Sequence, residues 1–247
     1  MPAFRSEFGA ELGSEIELNS LWPVEATERM NRMYRRQRYI YDGTRRYYLL
    51  GREQLIENLR LDASASVLEI GCGTGRNLVQ AAQRFPGAKL FGIDVSTEML
   101  TSAIASISRR GFGNRIRVAH GDATAFDPQF LFGVPVFDHV MISYSLSMIP
   151  GWNRVIVSAL SHLTPGGRLH IVDFGGRDFG GQEKLPGIAR ALLLRWLKMF
   201  DVTPRDDLER VLSGMASARG ADLKFERPFR GYAQYAVLTL PSEPARP

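Results

Sequence analysis

From Leu61 onward, short apolar runs alternate with stretches of helical periodicity, and that alternation leaves the chain very few architectures. The runs at 66–70, 89–93, 115–119, 137–143, 168–174, 223–227 and 233–240 carry the Val, Ile, Leu and Phe expected of strands buried on both faces. Helical stretches separate the early runs, so the connections are crossovers and the predicted class is α/β with a mostly parallel sheet. Such sheets bind ligands beyond the carboxyl ends of their strands, near the point where strand order reverses. Polar and glycine-rich segments at those ends are the first places to look for chemistry.

At 247 residues and 45% apolar, the chain supports one large domain with a well-buried core. The expected division is an N-terminal arm and basic, aromatic helical lid over 1–60, a main domain over 61–240 and a tail over 241–247. Cys72 is the single cysteine, which excludes an internal disulfide and any multi-cysteine metal site. His120, His139, His162 and His170 lack ligand spacing, so no structural metal is expected. No apolar run reaches the roughly 18 residues of a membrane span, and the amino terminus lacks a charged-then-apolar signal pattern. These features predict a soluble protein made in the cytosol.

The net charge is +5, and it is concentrated in one place. Residues 34–52 gather Arg35, Arg36, Arg38, Arg45, Arg46 and Arg52 with Tyr34, Tyr39, Tyr41, Tyr47 and Tyr48, against the single acid Asp42. Met30, Met33, Tyr34, Gln37, Tyr41, Thr44 and Tyr48 recur at helical steps, with Gly43 as an interruption and Gly51 as a candidate end. A segment this basic and aromatic is either a solvated helix or a surface for anions, for a cation over rings, or for a membrane.

The first apolar run continues into Glu69-Ile70-Gly71-Cys72-Gly73-Thr74-Gly75 ahead of a helix. Glycines there let the backbone turn tightly and approach a ligand, although dinucleotide enzymes use a related pattern at the same place. With G-x-G-x-G spacing and an acid two residues upstream, the loop resembles the signature of class I S-adenosylmethionine-dependent methyltransferases. Asp94 ends the second run, where a carboxylate can accept both ribose hydroxyls. Gly121-Asp122-Ala123 looks like the family's adenine-gripping segment, and Met99 either lies on the adenine face or packs in its helix. Residues 163–169 resemble the structural turn before the fifth strand. The resemblance implies a Rossmann-like fold with a seven-stranded, mostly parallel sheet, helices on both faces and an N-terminal helical lid. The implied cofactor is S-adenosylmethionine, leaving as S-adenosylhomocysteine. Its expected contacts are Glu69, Gly71, Gly73, Gly75, Asp94, Val95, Met99, Asp122, Ala123 and Ser143.

Methyl transfer from a sulfonium asks the protein to position the acceptor and exclude water rather than to supply a nucleophile. The fourth run ends in Ser143-Tyr144, where amino-methyltransferases of nucleic acids usually place Asn or Asp before Pro-Pro and an aromatic; this argues against a nucleic-acid partner. Tyr144 either orients an amine, holds a methylated ammonium on its ring, or packs. Asp173, at the end of the fifth run, is a second catalytic candidate that can assist deprotonation.

Residues 33–52, residues 143–150 and the segments 195–197 and 202–205 also resemble the betaine-lipid N-methyltransferases, which trimethylate the amine of diacylglyceryl-homoserine. This resemblance implies a lipid acceptor with an amino-acid headgroup, lid contacts from Tyr41 and Arg45, and peripheral association with an anionic inner membrane face. Residues 188–200 are too short to span a bilayer, and either lie in its interface or cap the site. A phosphatidylethanolamine or quinone-precursor methyltransferase, and more remotely an RNA-binding protein, remain the alternatives.

Overall fold

A computed structural model describes residues 49–175, 187–198, 200 and 202–242. The expectations placed on residues 1–48, including the lid contacts Tyr41 and Arg45, lie outside the described residues, as does most of the tail. The described elements run α1 (Arg52–Glu57), β1 (Ser66–Ile70), α2 (Arg76–Arg84), β2 (Lys89–Asp94), α3 (Thr97–Arg109), β3 (Ile116–His120) and α4 (Pro128–Phe132). They continue with β4 (Phe137–Ser143), α5 (Trp152–Ser161), β5 (Leu163–Phe174), α6 (Gly187–Lys198), α7 (Leu208–Arg219), β6 (Asp222–Glu226) and β7 (Ala233–Thr239).

The strands form one seven-stranded sheet in the order β3-β2-β1-β4-β5-β7-β6. Of its six strand pairs four are parallel, while β7 runs antiparallel to both of its neighbours, β5 and β6. Strand order reverses between β1 and β4, so the ends of those two strands flank the expected ligand crevice.

Two apolar layers sandwich the sheet. Leu55 of α1, Leu78 of α2, Ala103 of α3 and Leu197 of α6 share one buried cluster; Phe132 of α4, Ile156 of α5 and Leu212 of α7 share the other. The sheet's central residues face both layers, which is why β1 and β4 read as continuous apolar runs in the sequence. Local chemistry sets several boundaries. Ser96 caps α3 by accepting the Met99 amide at 3.3 Å, and Asp127 caps α4 ahead of Pro128.

Gly51, at φ 87°, is the residue that precedes α1, a left-handed position suited to glycine, and the helix expected upstream of it lies outside the described residues. One sequence expectation needs correction. The fifth strand begins at Leu163, not at Arg168, because Leu163 pairs with Phe137 before the register shifts. Thr164-Pro165-Gly166-Gly167 reads as a turn in the sequence, and it is an irregularity within the strand.

Candidate active site

The site is built where β1 meets its glycine loop. The Gly71 and Cys72 amides both donate to the Ile93 carbonyl, at 2.9 and 3.0 Å, which folds the loop back over the end of β2. Gly71 at φ 73° has no room for a side chain, since a β-carbon would lie 2.7 Å from Cβ of Ser145. Gly73 at φ 54° faces open space instead. One glycine is required by packing and the other leaves volume for a ligand. Asp94 fixes this arrangement: its Oδ2 accepts the Gly73 amide at 2.8 Å and its Oδ1 the Ser96 amide at 2.9 Å. A carboxylate at a strand end is an acceptor of the kind that the hydroxyls of a ribose require.

A narrow cleft of about 30 Å³ opens at this point. Glu69, Gly71, Gly73, Asn77 and Ser143 line it, and Leu49 and Arg52 close one side. Glu69 is 1% exposed; its Oε1 accepts from Asn77 Nδ2 at 2.7 Å, while its buried Oε2 has no partner. Burial pushes the Glu69 carboxyl up to about 8, against the opposing pull of the Asn77 hydrogen bond and the Arg52 cation. A buried oxygen lacking a partner beside a polar cleft is costly unless a donor arrives. The ammonium of an amino-acid moiety is such a donor, so the residues fit the cofactor implied by the loop. The Ser143 hydroxyl is likewise buried, unpartnered and on the cleft.

The adenine-side candidates lie at the neighbouring strand ends. Asp122 Oδ1 accepts both the amide and the hydroxyl of Thr124 at 2.8 Å, which fixes the loop after β3. Ala123 packs half-buried on the second core cluster, and the Val95 carbonyl lies 3.1 Å from His120 Nε2. Met99 is 2% exposed within α3. Gly75, at φ 72°, precedes α2.

Tyr144 and Asp173 are engaged with the backbone. Tyr144 is 3% exposed, holds φ 55°, stacks edge-on against Phe174 at 4.6 Å and donates its hydroxyl to the Leu50 carbonyl. Burial raises its phenol above the ordinary range, so the hydroxyl stays protonated and acts as a donor. It therefore clasps the segment carrying Leu49 and Arg52 against the cleft. Asp173 is buried, and accepts the Ser147 amide at 3.0 Å through Oδ2 and the Phe174 amide at 2.7 Å through Oδ1. Arg205 meets the same short 3-10 turn, Leu146–Met148. Its Nε donates to the Leu146 carbonyl at 3.1 Å and a terminal nitrogen to the Ile149 carbonyl at 2.9 Å. The Thr203 amide adds a bond to the Ser147 carbonyl at 2.8 Å. An anion thus satisfies the turn's donor and a cation its acceptors, each with the sign that strengthens the bond.

The histidines take structural partners. His139 Nδ1 and His170 Nε2 lie 3.1 Å apart in the core, and His162 packs on Phe126. The Cys72 thiol is buried, and burial holds it well above its usual range, which leaves it a small packing residue. Sequence reasoning missed Arg52 and Asn77 at the cleft. Asn77 carried a readable signal, being a polar residue in the first turn after the glycines.

A seven-stranded sheet of this order, with a glycine cradle after β1 and a carboxylate at the end of β2, is the Rossmann-like methyltransferase fold. Residues 67–167 match the family model of the methyltransferase domain. Trans-aconitate 2-methyltransferase of Deinococcus radiodurans is 36% identical over 125 residues, which is 51% of this chain and 44% of that protein. The protein of the same name from Azoarcus sp. (strain BH72) is 30% identical over 117 residues, 47% of this chain and 42% of that protein. The chain thus spans about half the length of the curated relatives it matches. Among solved structures, the S-adenosylmethionine-dependent methyltransferase SibL in its apo form aligns with a TM-score of 0.61 at 19% identity, covering 82% of this chain and 58% of that one.

Proposed function

We propose that the protein is an S-adenosylmethionine-dependent N-methyltransferase that trimethylates the amine of diacylglyceryl-homoserine. Bound S-adenosylmethionine supplies an activated methyl group on a sulfonium. Glu69 receives its ammonium, Asp94 its ribose hydroxyls and Asp122 with Ala123 its adenine, while Gly71 and Gly73 let the backbone come close. Arg52, which shares the cleft wall with Arg76, is suited to the cofactor's carboxylate. Ser143 presents its unpartnered hydroxyl where an acceptor amine would enter. Tyr144 and Asp173 act as positioning residues: the first holds the Leu49–Arg52 segment, the second holds the turn beside the acceptor.

One observation carries the finer reading. Two of the described segments that resemble betaine-lipid enzymes, 143–150 and 202–205, meet through Arg205 and Thr203 on the turn after β4. A family likeness scattered over the surface would say little about substrate, whereas this one is assembled at the end of β4. The relatives that act on trans-aconitate supply the competing acceptor class, a small carboxylic acid.

The test offers purified protein a methyl-labelled donor with diacylglyceryl-homoserine, phosphatidylethanolamine or trans-aconitate. Label is expected in the homoserine lipid through its mono-, di- and trimethyl forms. Transfer to either other acceptor with none to the homoserine lipid would overturn the lipid assignment, and transfer to trans-aconitate alone would make this a carboxylate O-methyltransferase.

A further inference from the structure

We propose that Phe229, on the turn between β6 and β7, is a positioning residue for cofactor binding: with Tyr144 it grips the Leu50-Gly51 peptide and so keeps Arg52 on the cleft wall. The inference rests on the role proposed for Arg52 at the cofactor's carboxylate and adds the side chains that hold it there.

Among the described residues, four non-glycines have a positive φ: Arg60, Tyr144, Phe229 and Arg230. A left-handed backbone strains any L-residue that carries a β-carbon, and a bulky ring in that conformation is unusual. Phe229, Arg230 and Gly231 hold it in succession, at 57°, 58° and 79°. Glycine or asparagine would turn the chain there with less strain, so the turn itself does not call for a phenylalanine. The core does not call for it either, because Phe229 is 45% exposed and belongs to neither apolar cluster.

The ring has a definite neighbour. A β-carbon on Gly51 would lie 3.4 Å from Phe229 Cε2 and 3.4 Å from Val172 Cγ2, so the ring packs beside β5 on the side of Gly51 where a side chain would stand. Tyr144, the other strained aromatic residue, reaches the same peptide from the end of β4 and donates its hydroxyl to the Leu50 carbonyl. Of the four strained residues, the two that carry rings thus converge on one peptide. Strain of this kind persists only where the surrounding structure enforces it, and it gathers at ligand clamps.

The turn is braced well enough to act as a stop. The Gly231 and Ala233 amides donate to the Pro228 carbonyl at 3.2 and 3.5 Å, and the Tyr232 amide to the Phe229 carbonyl at 3.1 Å. The Gly175 amide donates to the Tyr232 carbonyl at 2.8 Å, which ties the turn to the end of β5. On the other side, the Gly51 carbonyl accepts the Leu55 amide at 2.9 Å, so the gripped residue opens α1, of which Arg52 is the first residue. Leu49 and Arg52, which flank the gripped peptide, both line the cleft. Fixing that peptide fixes the direction from which the guanidinium enters the site, and a preset cation loses less freedom when an anion arrives.

Calorimetry on the full chain compares S-adenosylhomocysteine with 5′-methylthioadenosine, which keeps the nucleoside and lacks the amino-acid carboxylate. Phe229→Ala should weaken S-adenosylhomocysteine roughly tenfold, within the range of couplings from positions that do not touch the ligand. Affinity for 5′-methylthioadenosine should stay the same, which also verifies folding, and Phe229→Tyr, which keeps the ring, should bind both ligands as the unaltered chain does. In an Arg52→Gln background, Phe229→Ala should cost little more, as expected of two residues that act through one another. Unchanged affinity for S-adenosylhomocysteine in Phe229→Ala would overturn the proposal, as would equal loss for both ligands or full additivity with Arg52→Gln. Undiminished affinity in Arg52→Gln alone would instead remove the carboxylate role of Arg52, and the proposal with it.

Discussion

Glu69 ties burial directly to function. Its carboxyl titrates near 8 in the folded chain and near 4.5 when unfolded, so between those values the folded state holds the extra proton. Its contribution to stability is full below about 4.5 and is lost as pH rises toward 8. If the cofactor's ammonium needs the carboxylate, binding must expel that proton. Affinity for S-adenosylhomocysteine should therefore climb between pH 6 and pH 8, by up to about tenfold per pH unit, with proton release visible when calorimetry is repeated in buffers of different ionisation heat. Glu69→Gln should bind more weakly and lose the slope; a slope that persists would assign it to another group. This residue was legible from sequence because it sits in one contiguous motif with Gly71, Gly73 and Gly75. Arg52 was not, since its place at the cleft depends on how Gly51 turns the chain into α1 and on the Tyr144 clasp, neither of which leaves a local pattern.

Among elements, the turn after β4 is the most dependent on distant support. Its backbone is held by Asp173 from β5 and by Arg205 from the approach to α7. Arg205→Ala removes two charge-assisted bonds to carbonyls, a loss of about 2 kcal/mol on a half-buried site. The expected kinetic signature is a raised KM for the acceptor with unchanged cofactor affinity, and partial rescue by Arg205→Lys. Equal weakening of both ligands would mean that the turn serves the whole fold and not the acceptor. The strands themselves were legible, because β1, β2 and β4 bury both faces and leave unbroken apolar runs in the sequence. Asp173 read as a free acid at a strand end for the same reason: its partners are main-chain amides, which every residue possesses. The upstream start of β5 was hidden by Pro165 and two glycines, which mimic a turn while the strand continues around them.

For the molecule as a whole, the His139 and His170 pair sets the acid limit. Burial first, and then the Arg168 cation for His139 and the His139 ring for His170, hold both rings well below 6.5, His139 to about 4. Neutral rings fit the core, so the pair's contribution is present above about 6.5 and is lost as pH falls toward 4, where the unfolded chain takes up protons that the folded one refuses. Glu69 pulls the opposite way across that window, so the comparison belongs in a Glu69→Gln background. There, the melting temperature should drop between pH 7 and pH 5, and adding His139→Leu with His170→Leu should flatten the drop; an unchanged slope would clear the pair. Glu69 and Asp94 also carry a consequence for turnover in a cell. Under the proposed reading both grip parts of the cofactor that are identical before and after the methyl group leaves, and neither can tell a charged donor from a spent one. Under the proposed reading, S-adenosylhomocysteine competes for the cleft on nearly equal terms, so the pace of three successive transfers is set by how quickly other enzymes clear the by-product.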